Sequence, residues 1–128
     1  MTETAEGAEG AAEARLRALC LALPEATEKT AWGAPTFRVR DRIFAMLKAG
    51  DGHPSVWMKA PEGAQEVLVG ADPARFFRPP YVGHRGWIGM RLDATPDGAA
   101  VDWDEVARLV RRSFALTAPK RLAARLGG

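Results

Sequence analysis

The sequence predicts an α+β fold: an N-terminal helix, a central antiparallel sheet of about four to five strands, and closing helices. Three observations predict it. Apolar residues fall at helical spacing near the start and again after Asp102. Between them, three segments alternate with a period of two. Each of those segments has one apolar face, and such a sheet needs helices as cover.

Residues 1–10 alternate Thr, Ala, Gly and Glu and offer nothing to a core, so they are expected as a disordered acidic tail before a single domain over 11–128. The first helix is expected from about Ala11 to Leu23. Leu16, Leu19, Cys20 and Leu23 share one face, and Pro24 stops it. Cys20 on that face reads as a buried, inert thiol. Residues 25–35 read as a connector with one residue expected to be buried, Trp32. Thr36 to Arg40 alternates, with Phe37 and Val39 inward and Arg38 and Arg40 outward. After a turn at Asp41, Arg42 to Lys48 is apolar on both faces, which suits a central or covered strand. Residues 50–54 form a loop by composition. Ser55 to Lys59 alternates again, Val56 and Met58 in, Trp57 and Lys59 out.

Pro61 opens a short helix to about Val69, and Asp72-Pro73 a further turn to Phe76. A loop rich in Pro and Gly, Phe77 to Gly86, leads into a last strand over 87–92. There Ile88, Met90 and Leu92 share one face and Trp87, Gly89 and Arg91 the other. After a turn over 93–101, Asp102 is a candidate N-cap with Glu105 as its capping-box partner. The helix then runs to about Leu116 with Trp103, Val106, Val110 and Phe114 on one stripe. Pro119 begins a final helix to Leu126.

The 128 residues carry 18 Lys+Arg against 16 Asp+Glu, a net charge of only +2. That total excludes a protein coated with positive charge, but the charge is segregated. Residues 1–30 hold six acids and three bases, and residues 31–91 hold nine bases and five acids. Residues 92–107 hold five acids and no base, and residues 108–128 six bases and no acid. Acids early and bases late in the long helix also suit its macrodipole, so part of this pattern needs no partner. One cysteine excludes an intramolecular disulfide and a Cys-rich zinc site. The start, Met1-Thr2-Glu3, has neither a basic nor an apolar signal region, and the longest local apolar run is the six residues 18–23. A membrane span needs about 20. The expected compartment is the cytoplasm, with no membrane association.

Taken together, the outward positions of the three strands are Arg38, Arg40, Trp57, Lys59, Trp87, Gly89 and Arg91, and the neighbouring loop adds Arg78, Tyr81, His84 and Arg85. Bases interleaved with indoles suit nucleic acid: cations meet phosphates and aromatic faces stack on unpaired bases or sugars. Gly89 would leave room for something to lie close to the sheet. The same pattern also suits a structural role, with the tryptophans covered by a helix and the arginines stacked on them. Leu109 and Leu116, off the main stripe of the long helix, could supply that cover. Sequence pattern leaves both readings open.

Catalytic chemistry is hard to write. His53 and His84 lie in expected loops, and with Asp51 and Asp72 they match no known ligand spacing. Ser55 and Ser113 have no neighbouring base. The glycines of Gly83-His84-Arg85-Gly86-Trp87-Ile88-Gly89 precede a strand, the wrong context for a phosphate loop. Glu62 and Glu66 lie on one solvated face. No enzyme, metal or cofactor is expected.

Several segments in register resemble the MmcQ/YjbR family of small bacterial proteins. They are Ala31-Trp32-Gly33-Ala34-Pro35-Thr36-Phe37-Arg38-Val39, Val56-Trp57-Met58-Lys59-Ala60-Pro61, and Pro80-Tyr81-Val82-Gly83-His84-Arg85-Gly86-Trp87-Ile88-Gly89. The helix start Asp102-Trp103-Asp104-Glu105-Val106 and the end Ala118-Pro119-Lys120-Arg121-Leu122 also fit, so the resemblance covers about Leu16 to Leu126. It implies a frataxin-like "double wing" α+β fold and a DNA-binding protein without assigned catalytic residues. The family's recurrent lysine before proline corresponds to Lys59, and its aromatic after glycine to Trp87. A frataxin-like iron site would need an acidic helix ridge; the first helix keeps Glu13 but also carries Arg15 and Arg17, so iron is not expected. The expected function is non-enzymatic DNA binding through Arg38, Arg40, Trp57, Lys59, Tyr81, His84, Arg85, Trp87 and Arg91. The alternative is a protein- or small-ligand-binding module that uses the same face as a pocket. The sequence leaves the oligomeric state open, with a monomer preferred.

Overall fold

The computed structural model describes residues 3–49, 53–94, 98 and 100–127. Residues 50–52 of the expected loop, including Asp51, and residues 95–97 and 99 of the expected turn lie outside them. The fold is α+β. Helix α1 (Glu3–Leu21) leads into strands β1 (Ala26–Ala31), β2 (Ala34–Val39), β3 (Arg42–Lys48) and β4 (Ser55–Met58). Helix α2 (Ala64–Ala71), strand β5 (Phe76–Phe77), a 3-10 turn (Gly83–Arg85) and strand β6 (Ile88–Arg91) follow. Helices α3 (Trp103–Thr117) and α4 (Lys120–Gly127) close the chain. All strand pairs are antiparallel, in the order β1-β2-β3-β4-β6-β5.

The sheet has six strands against the expected four to five. The additions are β1, inside the expected connector, and β5, at the end of the expected turn. Helix α1 begins at Glu3 rather than about Ala11. Its buried residues, Ala12, Leu16 and Cys20, recur every fourth position and face the sheet. Burial pushes the Cys20 thiol well above its ordinary pKa, so it is an inert part of the core.

One sheet face carries the main core. Phe37, Val39, Leu47, Val56, Met58, Ile88, Met90 and Leu92 meet α1, α3 and α4 there. The inward residues of all three alternating strands are therefore placed as their period requires. β3 is apolar on both faces for a structural reason. Its register with β2 shifts between Phe37 and Arg38, a β-bulge that pairs Phe37 with Ala45 and Arg38 with Ile43. The extra residue, Phe44, joins the core and meets Phe114 edge-on at 5.3 Å. Met46, by contrast, lies on the other face.

Ser113, fully buried in α3, ties the layers together. Its hydroxyl donates to the Phe44 carbonyl at 2.6 Å and accepts from the Lys59 backbone N–H at 2.9 Å. The end of β4 and the bulge of β3 are thus fixed from one atom. At the start of α3, the Asp102 carboxylate accepts from the Glu105 N–H at 3.1 Å, the expected N-cap. The Glu105 carboxylate engages Arg75 and Arg108. Leu109 packs in the main core and Leu116 is exposed, so α3 does not cover the opposite face.

Candidate nucleic-acid interface

That opposite face has a second, smaller cluster. Met46, Trp57 and Trp87 are buried in it, with Ile43, Phe77 and Val82 packed alongside. Trp57 and Trp87 point away from the helices, as alternation requires, yet they are only 8% and 7% exposed. The loop after β5 supplies Val82 to this cluster. Gln65 of α2 holds the loop down: its Nε2 donates to the Gly83 carbonyl at 2.8 Å and to the Trp87 carbonyl at 2.6 Å. Gly89 leaves no room for a partner, because a Cβ there would lie 2.3 Å from the Phe77 ring. The space belongs to Phe77, over which the Arg91 guanidinium stacks at 4.7 Å.

The remaining expected residues divide into two groups. Arg38 and Arg40 have protein partners. Arg38 donates to the buried Thr36 hydroxyl at 3.0 Å and pairs with Asp41 at 3.3 Å. Arg40 is not a strand residue; it sits in the β2–β3 turn with φ +51° and forms a two-bonded ion pair with Glu25. That pair holds the Glu25 carboxyl below its ordinary range. His84 and Arg85 lie exposed in the 3-10 turn, and Tyr81 stands out at 87% exposure.

Lys59 follows the last residue of β4 and is half-buried. Burial lowers its pKa, and the charges of Arg42 and Arg85 lower it further. Lys59, Arg85, Trp87 and Leu116 line one groove together with Glu62. Among the described residues, none of Arg42, Lys59 and Arg85 forms an ion pair. Arg42 was not among the expected site residues, since the first position of a strand gives no sign of which cations it will meet.

Trp32 corrects the sequence reading. Expected to be buried, it is 79% exposed. Ala31 pairs with Ala34, so Trp32 and Gly33 are the two central residues of a hairpin turn, both at positive φ, +51° and +73°. The turn lifts the indole off the sheet. Trp32 and Tyr81 line a concave cavity of about 390 Å³ with Met46, Lys48, Trp57 and Val82. The Lys48 ammonium lies 5.0 Å over the Trp57 ring.

The histidines do not converge on a metal set. His53 Nδ1 lies 2.7 Å from Asp93 Oδ2, and His84 is in the 3-10 turn. Among the described residues no group of three or more His, Cys, Asp or Glu could hold a metal ion. Among the same residues no helix is long and apolar enough to cross a membrane.

The comparisons with known proteins agree with this fold. No curated protein matches the chain. A solved structure, protein DR2400 of Deinococcus radiodurans with a DUF419 domain, is similar over 88% of this chain and 85% of that one, at 22% identity and a TM-score of 0.68. The family model YjbR matches residues 21–116, which takes in the whole sheet and most of α3. The chain belongs to the YjbR family.

Proposed function

We propose that the protein binds nucleic acid without catalysis, through the sheet face opposite its helices and the loop before β6. DNA is the expected ligand and the cytoplasm the compartment. The observation that carries the reading is the groove that Lys59 and Arg85 line with Trp87, in which, among the described residues, neither cation forms an ion pair. Like charges brought together cost stability, and a phosphate backbone between them would remove that cost. The reading differs from the sequence expectation in its contacts. Lys59 and Arg85 remain, Arg42 joins them, and Arg38 and Arg40 serve the β2–β3 hairpin.

The test is titration with short DNA at two salt concentrations. Affinity should fall steeply with salt, with a slope near −0.9 per phosphate contact on duplex or about −0.7 on single strands. Lys59→Ala with Arg85→Ala should weaken binding and reduce that slope by close to two contacts. No binding at low salt, or an unchanged double variant, would sink the proposal. A second reading, a pocket for a small ligand or protein segment, is favoured by the concave cavity with Trp57 in its wall. Its mark is binding that salt does not weaken.

A further inference from the structure

The nucleic-acid reading leaves the form of the nucleic acid open, and the cavity beside Trp57 narrows it. We propose that the cleft lined by Trp32, Trp57 and Tyr81 receives one unpaired base, so that the protein selects single strands over duplex. The inference rests on the phosphate-binding reading above and adds a base site to it.

Three observations carry it. The first is composition. Trp32 and Tyr81 are large aromatic side chains that the fold leaves almost wholly exposed. They come from separate loops, the β1–β2 hairpin and the segment before the 3-10 turn, yet line one cavity. A flat ring with two π-faces suits aromatic walls, and every base has such faces, so recognition of this kind tolerates any sequence.

The second is backbone conformation. Trp32 and Tyr81 both hold positive φ, +51° and +67°. Bulky residues rarely adopt this region, and hairpin turns of this kind favour Asn-Gly at their centre. Placing Trp32 where Asn would fit better spends stability on an exposed indole, a pattern found at functional sites.

The third is charge and continuity. Among the described residues of the cavity lining, Lys48, stacked over Trp57, is the one cation. Trp57 packs in the same cluster as Trp87, and Trp87 lines the groove that holds Lys59 and Arg85. An aromatic cleft therefore adjoins, across one pair of indoles, a groove that holds Lys59 and Arg85 beside Glu62, with neither cation in an ion pair among the described residues. An uncharged peptide would use the cleft but not the groove; a polyanion that carries flat rings uses both. Duplex bases have their faces covered by stacking neighbours, and reaching one requires flipping it out. A single strand presents its bases without that step.

The experiment compares four probes of equal length at one salt concentration: a single-stranded thymidine oligonucleotide, a single-stranded mixed sequence, a duplex, and a single strand of abasic spacers. Both natural single strands should bind at least about tenfold tighter than the duplex or the abasic strand. Trp32→Asn and Tyr81→Ala should each weaken single-strand binding, roughly five- to a hundredfold, from the usual worth of one stacked base. Neither should change duplex binding. The Trp32→Asn variant suits the turn better than the native residue, and a thermal melt at or above the native midpoint shows that lost binding is not lost folding. Equal affinity for all four probes, with both variants neutral, would overturn the base site and leave the phosphate reading standing. Failure of every probe to bind at low salt would overturn both.

Discussion

Ser113 joins the two layers of the molecule through a single hydroxyl, which both donates to β3 and accepts from the end of β4. Removing it takes one hydrogen-bond partner from the buried Phe44 carbonyl and one from the Lys59 N–H. Ser113→Ala should therefore destabilise the fold by about 1–3 kcal/mol in urea unfolding. It should also loosen the position of Lys59, so its effect on phosphate binding should exceed that of an equally destabilising core change such as Val106→Ala. Trp32 illustrates the opposite case. Its left-handed backbone costs roughly 1–2 kcal/mol for an ordinary L-residue, and Asn tolerates that region. Trp32→Asn should raise stability by about 1 kcal/mol while it lowers single-strand affinity. Gly89 is, after Trp32, a second residue whose role the sequence misstates: the missing side chain accommodates the protein's own Phe77, not a ligand.

Elements differ in how visible they are in the sequence. The alternating strands are legible because each buries one face against helices, and burial is what imposes a period of two. α3 is legible from its amphipathic stripe and its Asp102 cap. β1, Ala-Thr-Glu-Lys-Thr-Ala, is not legible, because an edge strand that buries almost nothing has no apolar alternation to show. β5 is only two residues long, too short for any period. The candidate site divides in the same way. Lys59, Tyr81 and Arg85 can be found from composition and strand phase. Arg42 and Trp32 depend on which loops and strand ends the topology brings together. Covering of Trp57 and Trp87 likewise depends on a loop, not on a helix. That loop gives the element-scale prediction. Gln65→Ala removes two bonds that hold the segment from Gly83 to Trp87. Faster amide hydrogen exchange at Arg85 and Gly86 should follow, with little change at β3, because the loss is local. Unaltered exchange at those amides would show that the Gln65 bonds do not anchor the loop.

For the whole molecule, the sheet separates two kinds of burial. Helices α1, α3 and α4 cover one face with the main apolar core, while the other holds a thin aromatic cluster edged by cations. Its electrostatics make a pH prediction. Burial and two neighbouring cations depress the Lys59 pKa, so the folded protein releases that proton before the unfolded chain does. Between the depressed value and the ordinary lysine value of about 10.4, the unfolded state binds more protons, and stability contributed by this group rises with pH. Urea midpoints measured on the alkaline side, up to the ordinary lysine value, should show this rise in the native protein and lose it in Lys59→Met. Bound phosphate should reverse the shift, so nucleic-acid binding on the alkaline side should take up a proton.

The two margins of the sheet carry a different consequence. β1 forms one edge and presents Thr27, Glu28, Lys29 and Thr30 to solvent, with Glu28 drawn back to Arg17 of α1 by paired bonds of 2.7 and 3.0 Å. The other edge is β5, which stops after Phe76 and Phe77. A growing β-aggregate needs a long, flat, uncharged edge on which to add strands. This fold offers a charged one and a truncated one. The polar strand that is hardest to see in the sequence is thus the one that keeps the sheet from becoming a template for polymerisation.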